Sequence, residues 1–243
     1  MPKSDVHADT TPPPIDNSAN VLIISLHADP VQASGGGEGG GTHAYLRELL
    51  RALAFNRRHA AVVTRLASPH LPISQRLSDF TALYRIQLGL IATMDKRLLN
   101  SFHADTVDQI ATIIRQLTWP VHILHGVYWN SSRAAMDLSR QLGIPFVQTV
   151  ISNGRRRFEQ GYRDDAAERI AIETETYAAA SAIFCISGEE REDLIRLYGI
   201  DAGKLHVVGR PVPLPFRQPA QEKDGTPRQI DLQHMHMVGS RDN

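Results

Sequence analysis

A run of glycines constrains this chain more than any other feature of its sequence. Six of its seventeen glycines fall within the seven positions 35–41, where Glu38 is the only residue with a side chain. The apolar stretch VLIISLHA precedes the run, and THAYLRELLRALAFNRR, with apolar residues at helical spacing, follows it. A nearly bare backbone between a buried strand and the start of a helix allows a ligand to approach the main chain closely.

Three interpretations of this run follow from the residues alone: a flexible linker, a dinucleotide-binding loop, or a loop that binds another ligand. No Gly-Lys-Ser/Thr closes the run, which excludes a P-loop. A dinucleotide-binding loop needs an acidic residue about twenty positions after its glycines, but the sequence there is VVTRLAS. The close bracketing by a strand and a helix disfavours a linker. Thr42 is the predicted helix N-cap, and the first helical N–H groups favour an anionic ligand.

Strands and helices alternate along most of the remaining chain. Apolar segments such as AAVVTRL, PFVQTVI and AIFCIS are typical of strands buried on both faces. Helical patterns separate them, and one of these ends at Gly143, a predicted left-handed C-terminal residue. This alternation predicts an α/β fold with a single Rossmann-like doubly wound parallel sheet flanked by helices. Residues 66–105 mix turn residues with alternation and carry no firm prediction.

Composition excludes several classes of protein. Lys+Arg and Asp+Glu both count 26, which argues against a nucleic-acid partner. The single cysteine, Cys185, excludes an internal disulfide, and we expect neither a metal site nor a cofactor. No stretch approaches the roughly 20 apolar residues of a membrane span, and residues 1–20 lack the apolar region of a signal peptide, so we expect none. We therefore expect a cytoplasmic protein without a membrane span.

The two ends of the chain differ from its middle. Residues 1–19 are polar with a proline triplet, and residues 214–243 are Pro-rich and polar, without helical or strand periodicity. These compositions predict a disordered lead-in, one folded domain over residues 20–213, and a tail. We expect the tail to be a natural terminus.

Five motifs follow one another along the folded part. They are Ser-x-His-x-x-Pro at residues 25–30, Gly-x-x-Glu-x-Gly-Gly at 35–41, Tyr-x-x-Glu-Leu at 45–49, His-x-x-Tyr-Trp at 125–129 and Arg-Ile-x-x-Glu at 169–173. Together they resemble the N-terminal, acceptor-binding domain of GT-B retaining glycosyltransferases of family 4, in the sucrose-phosphate synthase and mycothiol glycosyltransferase branch. The resemblance covers residues 20–213 and implies one half of a GT-B fold.

The resemblance implies a function for that half. In the family, the N-terminal domain holds the acceptor and a second Rossmann-like domain holds the nucleotide sugar. The chain is thereby expected to be the acceptor-binding subunit of a split glycosyltransferase, whose partner chain binds the nucleotide sugar. Such a pair would transfer a hexose-type sugar to a sugar phosphate, cyclitol or aminocyclitol, as in secondary metabolite biosynthesis. A truncated piece of a two-domain enzyme and a non-catalytic binding or regulatory module remain alternatives.

The resemblance also implies a set of site residues. The acceptor-binding set is Gly40, Gly41, Thr42, Lys96, Tyr128, Ser152, Asn153, Arg157 and Arg169, and the loop and cleft set is Glu38, His125 and Trp129. Guanidinium groups suit phosphate because they bind it with two parallel hydrogen bonds. The position of the family's active-site histidine is Ile151, which cannot donate a hydrogen bond, so no catalytic residue is assigned.

Plainer roles stay open for several of these residues. The arginines at 155–157 would equally suit a solvated turn, and the aromatic pair at 128–129 would suit packing at a strand end. His125 would suit a structural position. Arg169 and Glu173 are spaced to pair with each other on one helix.

Overall fold

One eight-stranded sheet runs through the part of the chain that the structure describes, residues 19–32, 40–92, 94–164 and 166–209 of a computed structural model. The strands are β1 (Val21–Ile24), β2 (Ala60–Arg65), β3 (Ser74–Arg76), β4 (Thr81–Ile86), β5 (Ile123–Val127), β6 (Phe146–Thr149), β7 (Ala182–Cys185) and β8 (Leu205–Val207). Their order is β3-β4-β2-β1-β5-β6-β7-β8, and every neighbouring pair is parallel except β3 and β4. The predicted α/β fold with a doubly wound sheet is confirmed.

Helices cover both faces of this sheet. They are α1 (Gly40–Phe55), α2 (His103–Gln116), α3 (Trp129–Leu142), α4 (Gly154–Glu159), α5 (Ala166–Ala179) and α6 (Gly188–Tyr198), with 3-10 segments at Lys96–Phe102 and Ala202–Lys204. Within β1, Ile23 packs in the cluster under α1, whereas Leu22 and Ile24 pack in the larger cluster on the opposite face. All three side chains are fully buried, which explains why this strand is apolar without alternation.

The sheet reverses its direction of growth at β1. The chain adds β2 and β4 on one side of β1, and β5, β6 and β7 on the other side. Ligands of open α/β sheets bind in the crevice at the carboxyl ends of the strands where such a reversal occurs. The segments that follow β1, β5 and β6 meet there.

Some local predictions held and others were wrong. Gly143 ends α3 in the left-handed region, with φ 69°, as predicted. Thr42 does not cap α1, because the helix already begins at Gly40 and Thr42 is its third residue. The undecided region 66–105 contains β3, β4 and a 3-10 segment.

Several predictions fall outside the described residues. Glu38 and most of the glycine run do so, as do residues 1–18 of the lead-in and the tail at 214–243, so the domain boundaries stay predictions. No helix in the described ranges is long and apolar enough to cross a membrane. The same ranges contain no group of three or more His, Cys, Asp or Glu side chains suited to a metal ion.

Candidate functional site

Tyr128, which joins β5 to α3, has a backbone conformation that is unusual for a side-chain-bearing residue. Its φ of 78° and ψ of 157° lie in a region favoured by glycine. Its N–H donates to the Thr149 carbonyl (3.2 Å), and its own carbonyl accepts from the Ser132 N–H (2.9 Å). A Cβ on Gly126 would lie 2.5 Å from the Ser132 Cα, so glycine is needed for α3 to approach β5. These constraints hold the Tyr128 ring at the carboxyl edge of the sheet.

Arg169, from α5, meets this ring and the segment after β6. Its Nη1 donates to the Tyr128 hydroxyl (3.2 Å), and its Nη2 donates to both the hydroxyl (3.1 Å) and the carbonyl (2.6 Å) of Ser152. Its Nε donates to Glu173 at 2.7 Å, one turn further along α5. The side chain is 2% exposed, so this guanidinium is held in one orientation. Burial lowers the pKa of Arg169, but the charge and hydrogen bond of Glu173, together with Tyr128 and Tyr177, outweigh that effect and the net shift is upward.

Among the described residues, the hydrogen-bond directions around Arg169 leave two hydroxyl hydrogens available for a ligand. A hydroxyl oxygen that accepts from a guanidinium still has its own hydrogen to donate. This applies to both Tyr128 and Ser152. The Lys96 Nζ lies 5.8 Å from the centroid of the Tyr128 ring and adds a second positive charge. Two hydroxyl donors held by one guanidinium, with Lys96 near the Tyr128 ring, form an arrangement suited to an anion.

His27, which follows β1, also contacts the Tyr128 ring. The two ring centroids are 4.7 Å apart. Burial, followed by the charges of Lys96 and His43, lowers the pKa of His27 from 6.5 to about 3, so the imidazole is neutral near pH 7. The Nδ1 of His27 and the Nε1 of Trp129 are buried without a hydrogen-bond partner among the described residues. His27 belongs to the first sequence motif but was missing from the predicted site residues.

His125 lies inside β5 rather than in the open crevice. Its Nε2 is 2.7 Å from the Thr149 Oγ1, which is also hydrogen-bonded to the Tyr45 hydroxyl at 2.8 Å. Burial lowers the pKa of His125 to about 4. This chain of contacts joins α1, β5 and β6, which suits the structural alternative for His125. Its predicted role in the cleft stays a prediction.

The remaining predicted residues are distributed around the site. Asn153 is the N-cap of α4, because its Oδ1 accepts from the Arg156 N–H at 2.8 Å, so that oxygen already has a structural partner. The Arg157 guanidinium lies 4.3 Å from the Tyr162 ring centroid instead of joining the Arg169 contacts. Gly40, Gly41 and Thr42 form the first turn of α1.

The wall beside the Arg169 contacts is apolar. Ile151 packs against Tyr128, Trp129 and Ile172, and these three are at most 8% exposed. The position where the resemblance implies a histidine therefore carries a hydrocarbon side chain. Trp129 contributes its ring to this wall as the first residue of α3.

The chain belongs to the family described as the glycosyl transferase 4-like domain, which it matches over residues 40–211. It is 28% identical over 212 residues to a D-inositol 3-phosphate glycosyltransferase of Xylanimonas cellulosilytica, covering 86% of this chain and 51% of that protein. A protein of the same description from Frankia alni is 30% identical over 207 residues, covering 82% and 50%. The chain thus spans about half the length of the curated relatives it matches.

The fold also has a counterpart among solved structures. Sucrose-phosphate synthase from Thermosynechococcus elongatus superposes with a TM-score of 0.72 at 24% identity, over 79% of this chain and 48% of that one. The predicted resemblance to the N-terminal domain of a family 4 GT-B glycosyltransferase is confirmed.

Proposed function

We propose that this chain is the acceptor-binding half of a glycosyltransferase and that its acceptor is a small polyhydroxylated molecule carrying a phosphate group. The observation that carries the proposal is the pair of contacts from Arg169 to the hydroxyls of Tyr128 and Ser152. Each hydroxyl retains a hydrogen for a phosphate oxygen, and Lys96 adds charge beside the Tyr128 ring. A sugar phosphate or a phosphorylated cyclitol matches this chemistry, which the similarity to two D-inositol 3-phosphate glycosyltransferases also supports.

The phosphate contact would orient the acceptor for transfer. Holding one end of a small molecule by a charged group places its hydroxyls in a fixed position relative to the crevice, which lowers the entropic cost of reaction. Transfer also requires groups that stabilise the departing nucleotide diphosphate. In this proposal those groups belong to a second domain that binds the nucleotide sugar, with a hexose-type sugar, on the opposite side of the crevice.

A partner chain is the proposed source of that second domain. The match to about half of each curated relative supports the need for a second half. The second domain could lie on the same polypeptide or on a separate one, and the two arrangements predict different behaviour for the purified chain. A separate polypeptide predicts that sugar transfer appears only when a nucleotide-sugar-binding partner is added.

A non-catalytic binding module is a second candidate, and one observation favours it. Ile151 presents hydrocarbon where the resemblance implies an active-site histidine, and it packs against Trp129 and Ile172. A module of this kind would bind the phosphorylated ligand but support no transfer with any partner.

Titration calorimetry tests the proposed acceptor site by measuring how tightly the purified chain binds inositol 3-phosphate and inositol. Charge-assisted hydrogen bonds predict a preference of about 10- to 100-fold for the phosphorylated probe. Equal affinities would contradict the proposal.

A second experiment measures transfer from a labelled nucleotide sugar with and without a candidate partner. Transfer by this chain alone contradicts the split arrangement. If no sugar is transferred with any partner, the result favours the binding module.

A further inference from the structure

Glu173 is fully buried, and three hydrogen-bond donors from three different helices converge on its carboxylate. Its Oε1 accepts from the Nε of Arg169 on α5, at 2.7 Å. Its Oε2 accepts from the backbone N–H of Gly154 at the start of α4, also at 2.7 Å. The Tyr198 hydroxyl, from the end of α6, donates to the same oxygen.

The surroundings of Glu173 leave little freedom for this arrangement. A Cβ on Gly154 would lie 3.0 Å from Oε2 and 3.2 Å from the Cγ of Arg169. Tyr198 is itself held, because its hydroxyl accepts from the Arg155 N–H at 3.0 Å and its ring meets that of Tyr177 edge-on. The carboxylate therefore has a fixed position relative to the segment after β6, which carries Ser152.

We propose that Glu173 is a positioning residue for the anion site, acting through Arg169, and that it sets how strongly the site prefers a phosphorylated acceptor. This inference rests on the proposed acceptor site and specifies what maintains it. Glu173 fixes the Nε end of the guanidinium. The Nη end can then direct the hydroxyl hydrogens of Tyr128 and Ser152 toward the ligand.

A neutral amide cannot take over this role. The oxygen of a glutamine at position 173 can still accept from Gly154 or Tyr198, but its NH2 group cannot accept from Arg169. The guanidinium would then be buried beside a neutral group and free to reorient. Its contacts with the two hydroxyls would weaken, although neither hydroxyl would be altered.

The test compares Glu173→Gln with Glu175→Gln. Glu175 lies on the same helix, and its carboxylate pairs with Arg140 at 2.9 Å on the surface, so the chemical change is matched. The measured quantity is the ratio of the dissociation constants for inositol and inositol 3-phosphate. We expect Glu173→Gln to lower this ratio roughly tenfold, as is typical for loss of a group that orients a ligand-binding residue, and Glu175→Gln to leave it unchanged.

A purely structural role for Glu173 predicts a different result. Glu173→Gln would then lower thermal stability or weaken both probes equally, and the ratio would stay at the wild-type value, which would overturn the inference. If Glu173→Gln does not fold, Tyr198→Phe replaces it, because this change removes one donor to the carboxylate and retains the charge. A smaller decrease in the ratio supports positioning, and an unchanged ratio contradicts it.

The Nε–H resonance of Arg169 in nuclear magnetic resonance spectra separates this inference from the proposed function. It is assigned by its loss in Arg169→Lys, and it requires no ligand. A shifted, fast-exchanging resonance in Glu173→Gln shows that Glu173 orients Arg169. If wild type then shows no phosphate preference, the proposed function fails while the orienting role stands. If wild type prefers phosphate but both the ratio and the resonance are unchanged in the variant, the inference alone fails.

Discussion

Two buried ion pairs lie on opposite sides of β1, and they differ in the groups that their arginines contact. Asp29 and Arg85 pair at 2.6 Å on the side of β2 and β4, with side chains 8% and 0% exposed. Arg169 and Glu173 pair at 2.7 Å on the side of β5 and β6, with side chains 2% and 0% exposed. Burial and pair geometry alone do not distinguish the two.

Their remaining contacts do distinguish them. Arg85 also donates to the carbonyl of Pro72 (2.7 Å) and to the side-chain oxygen of Gln75 (3.5 Å). Asp29 accepts from the N–H of Val31 at 2.9 Å. Carbonyl oxygens have no hydrogen to pass to a ligand, whereas the hydroxyls that Arg169 contacts do. The first pair therefore joins loops together, and in the proposed site the second prepares donors for an anion.

Replacing each arginine with methionine gives the largest expected effects. Arg169→Met and Arg85→Met should each lower the free energy of unfolding by about 3–5 kcal/mol, because a buried carboxylate loses its partner. Urea denaturation measures that loss. Titration calorimetry on the folded variants should then show that Arg169→Met loses the preference for inositol 3-phosphate over inositol, whereas Arg85→Met retains it. Equal loss in both variants would remove the distinction between the pairs.

Acid should destabilise the protein through a buried histidine on the Arg169 side. Burial lowers the pKa of His125 from 6.5 to about 4, so unfolding takes up a proton between these pH values. This histidine should cost about 1.4 kcal/mol of stability per pH unit as the pH falls through that window, approaching about 3 kcal/mol. Unfolding free energies measured from pH 7 to 4 should fall less steeply in His125→Gln. An identical slope in wild type and in His125→Gln would contradict the assignment.

Gly154→Ala should perturb the Arg169 side through a steric contact. The added methyl group would lie 3.0 Å from the Glu173 Oε2 and 3.1 Å from the Ile170 Cγ1, so we expect a loss of about 1–3 kcal/mol of stability. Gly188→Ala is the matched control, because Gly188 also begins a helix and a Cβ there would meet nothing within 4 Å. Thermal denaturation should show the decrease only for Gly154→Ala, and equal melting temperatures would refute the steric explanation.

The smallest expected effect comes from removing a single hydroxyl. Tyr128→Phe should lower the preference for the phosphorylated probe by roughly five- to tenfold, since one hydrogen bond of about 1 kcal/mol is lost. Its stability should change by about 1 kcal/mol or less. Tyr84→Phe, next to Arg85 in β4, should leave the preference unchanged. An unaltered preference in Tyr128→Phe would exclude its hydroxyl from the anion site.

The sequence predicted the interior of the sheet better than its edge. Strands β1 and β2 are buried on both faces; β1 is a continuous apolar run, and β2 has one over its first four residues. The polar β3, Ser74–Arg76, lies at the edge of the sheet, where little of it is buried, so no apolar pattern marks it in the sequence.

Helix α4 was not predicted, for a related reason. It is six residues long, and its start depends on the Asn153 cap and on a contact with Glu173 rather than on periodicity.

The sequence by itself determined that this chain forms a doubly wound parallel sheet, because burial on both faces of a strand and on one face of a helix leaves a local pattern. Its motifs, and not this pattern, carried the resemblance to the glycosyltransferase family. It also named Tyr128, Ser152 and Arg169 as site residues, whose role stays a prediction. Only the tertiary structure decided that Arg169 donates to a hydroxyl 41 positions away and to another 17 positions away. Those contacts depend on how strands and helices align across the sheet. No periodicity in the sequence records that alignment.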